Sequence, residues 1–340
     1  MAENVNKKDL NKKDLAKNVP DGNDAAASKE ESLKKQQRAS LIRTALPIIG
    51  LVVVTLIFNI LTKGGMWKSR DLILNQVYVV LISATGVFFI MTMGGLDFSQ
   101  GSIMGIASIV VCVLSKTNIF LAVIGGIAAG AAIGAFNGFF YVNRKIKSFI
   151  VTICSMFLFR GLIKYIASNA PVAASMAVYD YDIPALKFGI TAAVLLIGFV
   201  VFRYTKFGMY LKAIGAGEKA AKFAGIRTDR MKFLIYVLAG AITGLAAFIN
   251  IVKNGSATAN VGNQLETQIL IALVLGGMPI SGGAKVRFEN IIVGTLLYTV
   301  LNNGLTMMGM TTQAMQLIQG VVFLIFVAVF ADRESLQVIK

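Results

Sequence analysis

Residues 119–142 read IFLAVIGGIAAGAAIGAFNGFFYV, and this stretch decides the class of fold. It contains no charged side chain, and as a helix it would measure about 36 Å, more than the ~30 Å hydrocarbon layer of a bilayer. Four glycines recur at every fourth position and therefore share one helix face: Gly126, Gly130, Gly134 and Gly138. Small residues at this spacing let two helices approach closely in lipid, so the pattern predicts tight helix packing, with a pore lining as the alternative. Gly240 and Gly244 repeat the spacing.

The composition of the whole chain is that of a membrane protein. Hydrophobic residues make up 56% of its 340 residues and charged residues only 15%, whereas about 25% is usual in soluble domains. The chain has no histidine, which excludes Ser-His-Asp catalysis and imidazole zinc sites. Its two cysteines, Cys112 and Cys154, lie in separate apolar runs and form no CxxC motif. We therefore expect no catalytic residues and no metal site.

The hydropathy pattern predicts a polytopic all-α bundle with about ten transmembrane helices. The predicted spans are residues 45–61, 72–92, 101–115, 119–142, 148–168, 188–202, 233–252, 266–279, 287–303 and 314–331. If both termini are cytoplasmic, most of the 33 Lys and Arg residues lie on the cytoplasmic side of the membrane. The positive-inside rule favours this orientation. The segment 63–70 is an exception, because its three basic residues then lie outside. The basic residues do not form one face interleaved with aromatics, so the charge of +16 does not indicate nucleic acid.

The chain divides into a membrane domain at residues 44–332 and two polar tails. Residues 1–43 are rich in Lys, Asp and Asn and contain the repeat NKKDL, which predicts a disordered cytoplasmic tail. Residues 333–340 are predicted as a short cytoplasmic tail. No cleavable signal sequence is recognised, so the first apolar segment is expected to remain as an anchor.

Two glycine-rich segments interrupt apolar runs at corresponding places in the two halves of the chain. Residues Gly94–Gly101 read GGLDFSQG, and Gly276–Gly283 read GGMPISGG. Transporters built from repeats often carry broken helices at matching positions, buried in protein or facing water. Ordinary loops at the cytoplasmic surface are the alternative interpretation.

The longest predicted cytoplasmic loop, residues 203–232, contains a short amphipathic helix. Gly217 and Gly225 bracket the sequence EKAAKFA at residues 218–224, in which Glu218 is predicted to pair with Lys222. Phe223 lies at the centre of the apolar face, which favours docking into a groove on a cytoplasmic partner. A helix lying on lipid headgroups is the alternative.

Few ionisable residues lie within the predicted spans. Arg160 is a functional candidate because a charge is costly in lipid, and it could hydrogen-bond a polar solute. Lys164, one turn away, is better explained by its long side chain reaching the outer interface. Asp97 is a candidate pathway residue or a helix N-cap for the third span, and Glu266 opens the eighth span.

Several ordered motifs resemble one known family. GGLDFSQGS at Gly94–Ser102 resembles the GG-[IL]-D-[LF]-S-x-G-S signature of permease subunits from monosaccharide-type bacterial ABC importers. The resemblance continues at four further places: Phe149–Thr152 with Arg160–Gly161, Ala213–Ile226, Gly276–Gly283, and Leu301–Leu305. Two departures are Gly217, where the family usually has Asn, and Met278–Pro279, where it usually has Thr-Ser.

The resemblance implies a membrane permease in a bacterial plasma membrane that imports a ribose-, galactose- or xylose-like monosaccharide. Its implied partners are a cytoplasmic ABC ATPase with two nucleotide-binding cassettes, an extracytoplasmic solute-binding protein and a second permease chain, identical or paralogous. The chain is also expected to contact membrane lipid. The chain has no G-x-x-x-x-G-K-[ST] motif, so no cofactor is expected in it, and ATP and Mg would bind to the ATPase.

On this basis two groups of site residues are predicted. The candidate substrate-pathway residues are Arg160, Asp97, Ser99, Asn137 and Asn303. The candidate ATPase-coupling residues are Gly215, Glu218, Lys219, Lys222, Phe223 and Gly225. Import of a nucleoside, polyol or signalling sugar through the same architecture stays open, as does an ATP-independent secondary transporter, although the scarcity of acidic groups in the spans argues against a coupling-ion site.

Overall fold

Each stretch predicted to span the membrane overlaps a helix, although the eighth predicted span, 266–279, continues past the end of its helix at Leu275. The computed structural model describes residues 45–284 and 286–330, apart from the side chains of residues 329 and 330, so both predicted polar tails lie outside the described residues. The α-helices are α1 Ala45–Leu61, α2 Gly65–Lys68, α3 Arg70–Thr92, α4 Gln100–Ser115, α5 Ile119–Asn143, α6 Ser148–Ile166, α7 Pro184–Tyr204, α8 Lys206–Ala216, α9 Glu218–Phe223, α10 Thr228–Asn254, α11 Leu265–Leu275, α12 Glu289–Met307 and α13 Thr312–Phe330.

The helix lengths agree with an all-α membrane bundle. Among the described residues, five helices are long and apolar enough to cross a bilayer, namely α3, α5, α6, α7 and α10. Helices α1, α4, α11 and α13 are apolar but shorter. The count of ten spans and the cytoplasmic position of both termini therefore stay predictions.

The glycine face of α5 packs against α10, which confirms the packing interpretation. A methyl group on Gly130 would overlap the carbonyl oxygen of Gly240, and one on Gly240 would overlap that of Gly130. A methyl group on Gly126 would lie 3.1 Å from the carbonyl oxygen of Gly244. The two backbones are in contact because neither helix carries a side chain at these positions.

The two glycine-rich breaks contact each other. One lies between α3 and α4 and the other between α11 and α12. The backbone N–H of Gly283 donates to the carbonyl oxygen of Thr92 at 3.0 Å, and Gly282, with φ of 69°, leaves no room for a methyl group beside Met91. This contact favours packed helix breaks over two independent surface loops.

A short β-ribbon joins two of the connections between helices. Strand β1 (Val172–Ala173), which follows α6, pairs antiparallel with β2 (Ser256–Ala257), which follows α10. A 3-10 helix at Met176–Tyr181 leads from β1 towards α7. The described residues from Pro47 onward belong to one compact unit.

Candidate solute cavity and coupling element

A polar cavity of about 330 Å³ lies among the ends of four helices. Seven of its lining side chains are amides: Asn75, Gln76, Asn250, Asn254, Asn263, Gln268 and Asn302. Lys253, Tyr298 and Thr299 add an ammonium and two hydroxyls, and four apolar side chains complete the wall with Gly262. Such a lining can hydrogen-bond a hydroxylated solute at many points, because each amide offers both a donor and an acceptor.

The cavity forms where the first turns of α3 and α11 meet the last turns of α10 and α12. Asn75 and Gln76 lie near the start of α3, and Asn250 to Asn254 end α10. In the predicted topology these helix ends are extracytoplasmic, so a solute would enter the cavity from outside.

Hydrogen bonds behind the wall hold several of the lining amides in place. Asn303 Nδ2 donates to Gln76 Oε1 at 2.9 Å, and Gln319 Nε2 donates to Asn302 Oδ1 at 2.9 Å. Asn303 was predicted as a pathway residue, and the structure places it one residue from the lining, as a support for Gln76.

Arg160 holds the backbone that forms part of the cavity wall. Its Nη1 donates to the carbonyl oxygen of Val261 at 2.9 Å and its Nη2 to that of Gly262 at 3.0 Å. Nη2 also lies 3.7 Å from Glu266 Oε2 in a largely buried ion pair. Since Gly262 and Asn263 line the cavity but Arg160 does not, we infer that its geometry suits positioning of the wall.

Asp97, Ser99 and Asn137 meet in one buried hydrogen-bond network. Asp97 Oδ1 accepts from the backbone N–H and the hydroxyl of Ser99 at 2.8 and 2.6 Å, and Oδ2 accepts from Gln100 Nε2 at 2.7 Å. Asn137 Nδ2 donates to Ser99 Oγ at 2.8 Å, and Thr243 Oγ1 donates to Gln100 Oε1. The network joins α4, α5 and α10.

The position of Asp97 differs from the predicted N-cap. Helix α4 begins at Gln100 with Ser99 as its N-cap residue, and Asp97 accepts from Ser99 instead of from a helix N–H. Burial raises the pKa of the Asp97 carboxyl above its ordinary value, while the hydrogen bonds from Ser99 and Gln100 act in the opposite direction.

The predicted pathway residues therefore fall into three groups in space. Asn303 supports the cavity, Arg160 holds its wall, and Asp97, Ser99 and Asn137 form a separate network that does not line it. Sequence reasoning missed the cavity amides. The available signal was the recurrence of Asn and Gln near the ends of apolar segments. Amide side chains at such positions are also common at the membrane interface, so they did not indicate a cavity.

The predicted coupling loop contains one more helix than expected. Helix α8 begins after Thr205, whose Oγ1 accepts from the backbone N–H of Phe207 at 3.2 Å. Phe207 packs edge to face on Phe89 of α3, and Lys212 Nζ lies 4.2 Å from the centre of the Phe202 ring. Burial lowers the pKa of the Lys212 ammonium, and the Arg203 charge acts in the same direction while Glu289 opposes it.

Helix α9 begins at the predicted Glu218, ends one residue before the predicted Ala224, and makes different ion pairs. Gly217 precedes the helix, and Gly225 follows it with φ of 83°. Glycine is favoured at such a position because the chain after a helix often turns into the left-handed region. The predicted pair of Glu218 with Lys222 is wrong: Glu218 pairs with Lys232, and Lys222 lies 4.0 Å from Asp229. The fold brings the start of α10 beside α9, so both charges find partners beyond their own helix.

One side of α9 is packed and the other is open. Ala221 is buried, whereas Phe223 is 91% exposed. Lys219 and Lys222 are exposed beside it. An aromatic ring left this accessible among basic side chains fits a protein-docking surface.

Gly215 contacts the two helix breaks. A methyl group there would overlap the carbonyl oxygen of Thr92 and lie 2.7 Å from the backbone nitrogen of Gly283. Helix α8 thus abuts the point where the α3–α4 and α11–α12 breaks meet.

Among the described residues no group of three His, Cys, Asp or Glu side chains could hold a metal ion.

Comparison with known proteins relates the chain to permease components of transport systems. Residues 69–327 match the family described as branched-chain amino acid transport system / permease component. The chain is 32% identical to the ribose import permease protein RbsC of Bacillus subtilis (strain 168), over 90% of this chain and 99% of that protein. It is 30% identical to the fructose import permease protein FrcC of Rhizobium meliloti, over 84% of each chain. It is 23% identical to the xylose transport system permease protein XylH of Haemophilus influenzae (strain ATCC 51907 / DSM 11121 / KW20 / Rd), over 85% of this chain and 95% of that protein. No solved structure matches the chain.

Proposed function

This chain belongs to the branched-chain amino acid transport system / permease component family, and from that premise we propose that it is the membrane permease subunit of an ATP-driven importer of a monosaccharide. It is a multi-pass protein of the bacterial plasma membrane. The relatives described above are named as ribose, fructose and xylose permeases, which favours a sugar over an amino acid.

The cavity is the observation that carries the solute class. Its wall has seven amides and no carboxylate, since neither Asp nor Glu is among its lining residues. Hydroxyl groups both donate and accept, so each free N–H or oxygen of the wall amides can bond a sugar hydroxyl. An amino acid would require an anionic partner for its ammonium group, which the lining does not offer.

Energy comes from a second protein. A cytoplasmic ATPase with two cassettes binds ATP and Mg, and its movements reach the bundle through α8 and α9. Phe223 seats in the ATPase, while Gly215 transmits the displacement of α8 to the two helix breaks. The bundle then alternates between outward and inward openings of the cavity, with ten spans and both termini in the cytoplasm.

Two further partners complete the importer. An extracytoplasmic solute-binding protein delivers the sugar at the side on which the cavity lies, and a second permease chain pairs with this one. The Asp97 network, which joins three helices in the buried interior, would hold the core together while the helix breaks move.

Reconstitution tests this function. The tagged chain is purified from its native membrane in mild detergent, and its stoichiometric partners are identified by mass spectrometry. The complex is then reconstituted in liposomes together with the binding protein. Uptake of labelled ribose, xylose and leucine is measured with either ATP or ADP supplied on the side of the membrane where the ATPase lies. We expect sugar uptake only with ATP and no leucine uptake.

Two results would contradict the proposal. Uptake that needs an ion gradient and no ATP would make the chain a secondary transporter. ATP-dependent uptake of leucine without sugar uptake would assign the cavity to amino acids.

A further inference from the structure

The amides in the cavity wall do not present donors and acceptors equally. The oxygens of Gln76 and Asn302 already accept hydrogen bonds from behind the wall, from Asn303 and Gln319. Asn250 Oδ1 accepts from Asn254 Nδ2 at 2.9 Å. In each of these three amides the NH₂ group therefore remains for a solute.

The oxygen of Asn75 is also occupied by a hydrogen bond within the protein. Asn75 Oδ1 accepts from Lys187 Nζ at 2.6 Å, and Lys187 in turn pairs with Asp182. Asn75 Nδ2 donates to the carbonyl oxygen of Asp71 at 2.9 Å, which leaves one N–H of this amide for a solute.

The side-chain amides of Asn263 and Gln268 have no hydrogen-bond partner among the described residues, so they can turn either their oxygen or their NH₂ group to a solute. Asn254 Oδ1 and Thr299 Oγ1 remain as acceptors, because the N–H of the first residue and the hydroxyl proton of the second are donated within the protein. The hydrogen-bonded amides of the cavity thus present more free N–H groups than free oxygens.

Lys253 adds a positive charge to the same wall. Among the described residues its ammonium group has no hydrogen bond and no ion pair, although it lines the cavity. The charges of Lys187 and Asp182, which form an ion pair with each other, act on Lys253 in opposite senses. Lys253 is therefore the charged group that a solute in the cavity meets.

Donors beside a cation recognise acceptors. A hydrogen bond from an ammonium to a carboxylate is roughly twice as strong as one between neutral groups. A solute ammonium would instead meet like charge and find few fixed acceptors, which costs affinity because its donors stay unsatisfied.

We propose that Lys253 and the donor groups of this cavity select polyhydroxylated solutes that carry an acidic group, such as aldonic acids, over neutral polyols, and exclude solutes that carry an amine. The inference rests on the proposed function, because it assigns a solute preference to the cavity of that importer. Lys253 is the specificity-determining residue.

Three five-carbon compounds that differ only at one terminal group test the preference. Binding of labelled ribonate, ribitol and 1-amino-1-deoxyribitol to the full chain, held with its ATPase in lipid nanodiscs and without binding protein, is measured by equilibrium dialysis at pH 7. We expect ribonate to bind about tenfold more tightly than ribitol, and the amine about tenfold more weakly, each step matching about 1.4 kcal/mol.

Three variants separate charge from folding. Lys253→Gln should bring the three dissociation constants within about twofold of one another, whereas Lys253→Arg should keep their order. Lys116→Gln removes an exposed lysine that does not line the cavity and should change nothing. Size-exclusion profiles of all variants verify folding.

Equal affinity for the three compounds, or a preference for ribonate that survives in Lys253→Gln, would overturn the inference. ATP-dependent ribose uptake is measured on the same preparation. Ribose uptake without any ribonate preference would refute only the role of Lys253, whereas a preference without ATP-dependent uptake would refute only the proposed energy source.

Discussion

At the scale of single residues, Arg160 shows how one side chain can serve a site that it does not line. Its guanidinium bridges two carbonyl oxygens and the Glu266 carboxylate, and the backbone that it holds forms part of the cavity wall. A planar group with several donors in fixed directions suits this task, and lysine could not reproduce it.

Removing this side chain should destabilise the protein. In Arg160→Ala the Glu266 carboxylate stays buried without its partner, which costs about 3–5 kcal/mol. We expect a lower apparent Tm in detergent and weaker solute binding, whereas Lys164→Ala, at an exposed position of the same helix, should leave both unchanged.

A double variant separates the two causes. Arg160→Ala with Glu266→Gln removes the unpaired charge and should recover part of the Tm, though not the solute binding, because the wall stays unsupported. If the double variant is as unstable as the single one, the ion pair is not the source of the loss.

At the scale of elements, helix α9 is the docking surface that we propose, and two ion pairs join it to α10. Its glycine bounds were predictable because Gly217 and Gly225 interrupt the sequence on both sides. Gly217, where the family usually has Asn, has φ of 172° and makes no side-chain cap. Extended backbone of this kind admits any residue, so the departure changes the start of α9 little.

Phe223→Asp should uncouple ATP hydrolysis from transport. Because Phe223 is 91% exposed, the substitution leaves the packing of the chain intact, and we expect normal Tm but loss of ATP-dependent sugar uptake and weaker ATPase association. Phe223→Leu keeps an apolar group and should retain most of the uptake. Normal uptake by Phe223→Asp would remove this residue from the coupling surface.

Gly215→Ala should affect the same coupling from within the chain. Its methyl group would overlap the Thr92 carbonyl oxygen, so α8 must shift, and overpacking of this kind costs about 1–3 kcal/mol. We expect lower uptake with the ATPase still bound, measured by uptake and co-purification in parallel.

Gly217→Ala is the matched control for that variant. Its nearest neighbour would be the Ala220 side chain at 3.8 Å, an ordinary contact, and its uptake should be unchanged. Equal effects of the two substitutions would show that the contact of Gly215 with the helix breaks carries no specific role.

At the scale of the whole molecule, α5 and α10 lie with their backbones in contact. Gly130→Ala forces the two backbones apart, since its methyl group would overlap Gly240, and we expect a destabilisation of about 1–3 kcal/mol seen as a lower apparent Tm. Gly161→Ala, on α6 with nothing within 4 Å, should be neutral or stabilising because alanine favours helix. The same Tm for both variants would contradict the close contact.

The sequence by itself determined the properties that depend on neighbouring residues. Runs of apolar residues predicted the positions of the five long apolar helices α3, α5, α6, α7 and α10, because hydrocarbon requires each segment to satisfy its own backbone hydrogen bonds. The glycine face of α5 predicted close packing, and the two glycine-rich segments marked the helix breaks. Helix α8 was missed, since its residues resemble an ordinary basic loop.

Only the tertiary structure decided the properties that depend on distant residues. Gln76 and Asn303 are joined across most of the chain, and Lys232 displaces Lys222 as the partner of Glu218. The cavity takes its polar groups from four helices and a connection between two of them, and each group alone resembles an ordinary residue at a helix end. Hydrogen bonds and ion pairs form wherever the fold brings partners within reach, and that proximity has no signature in local sequence.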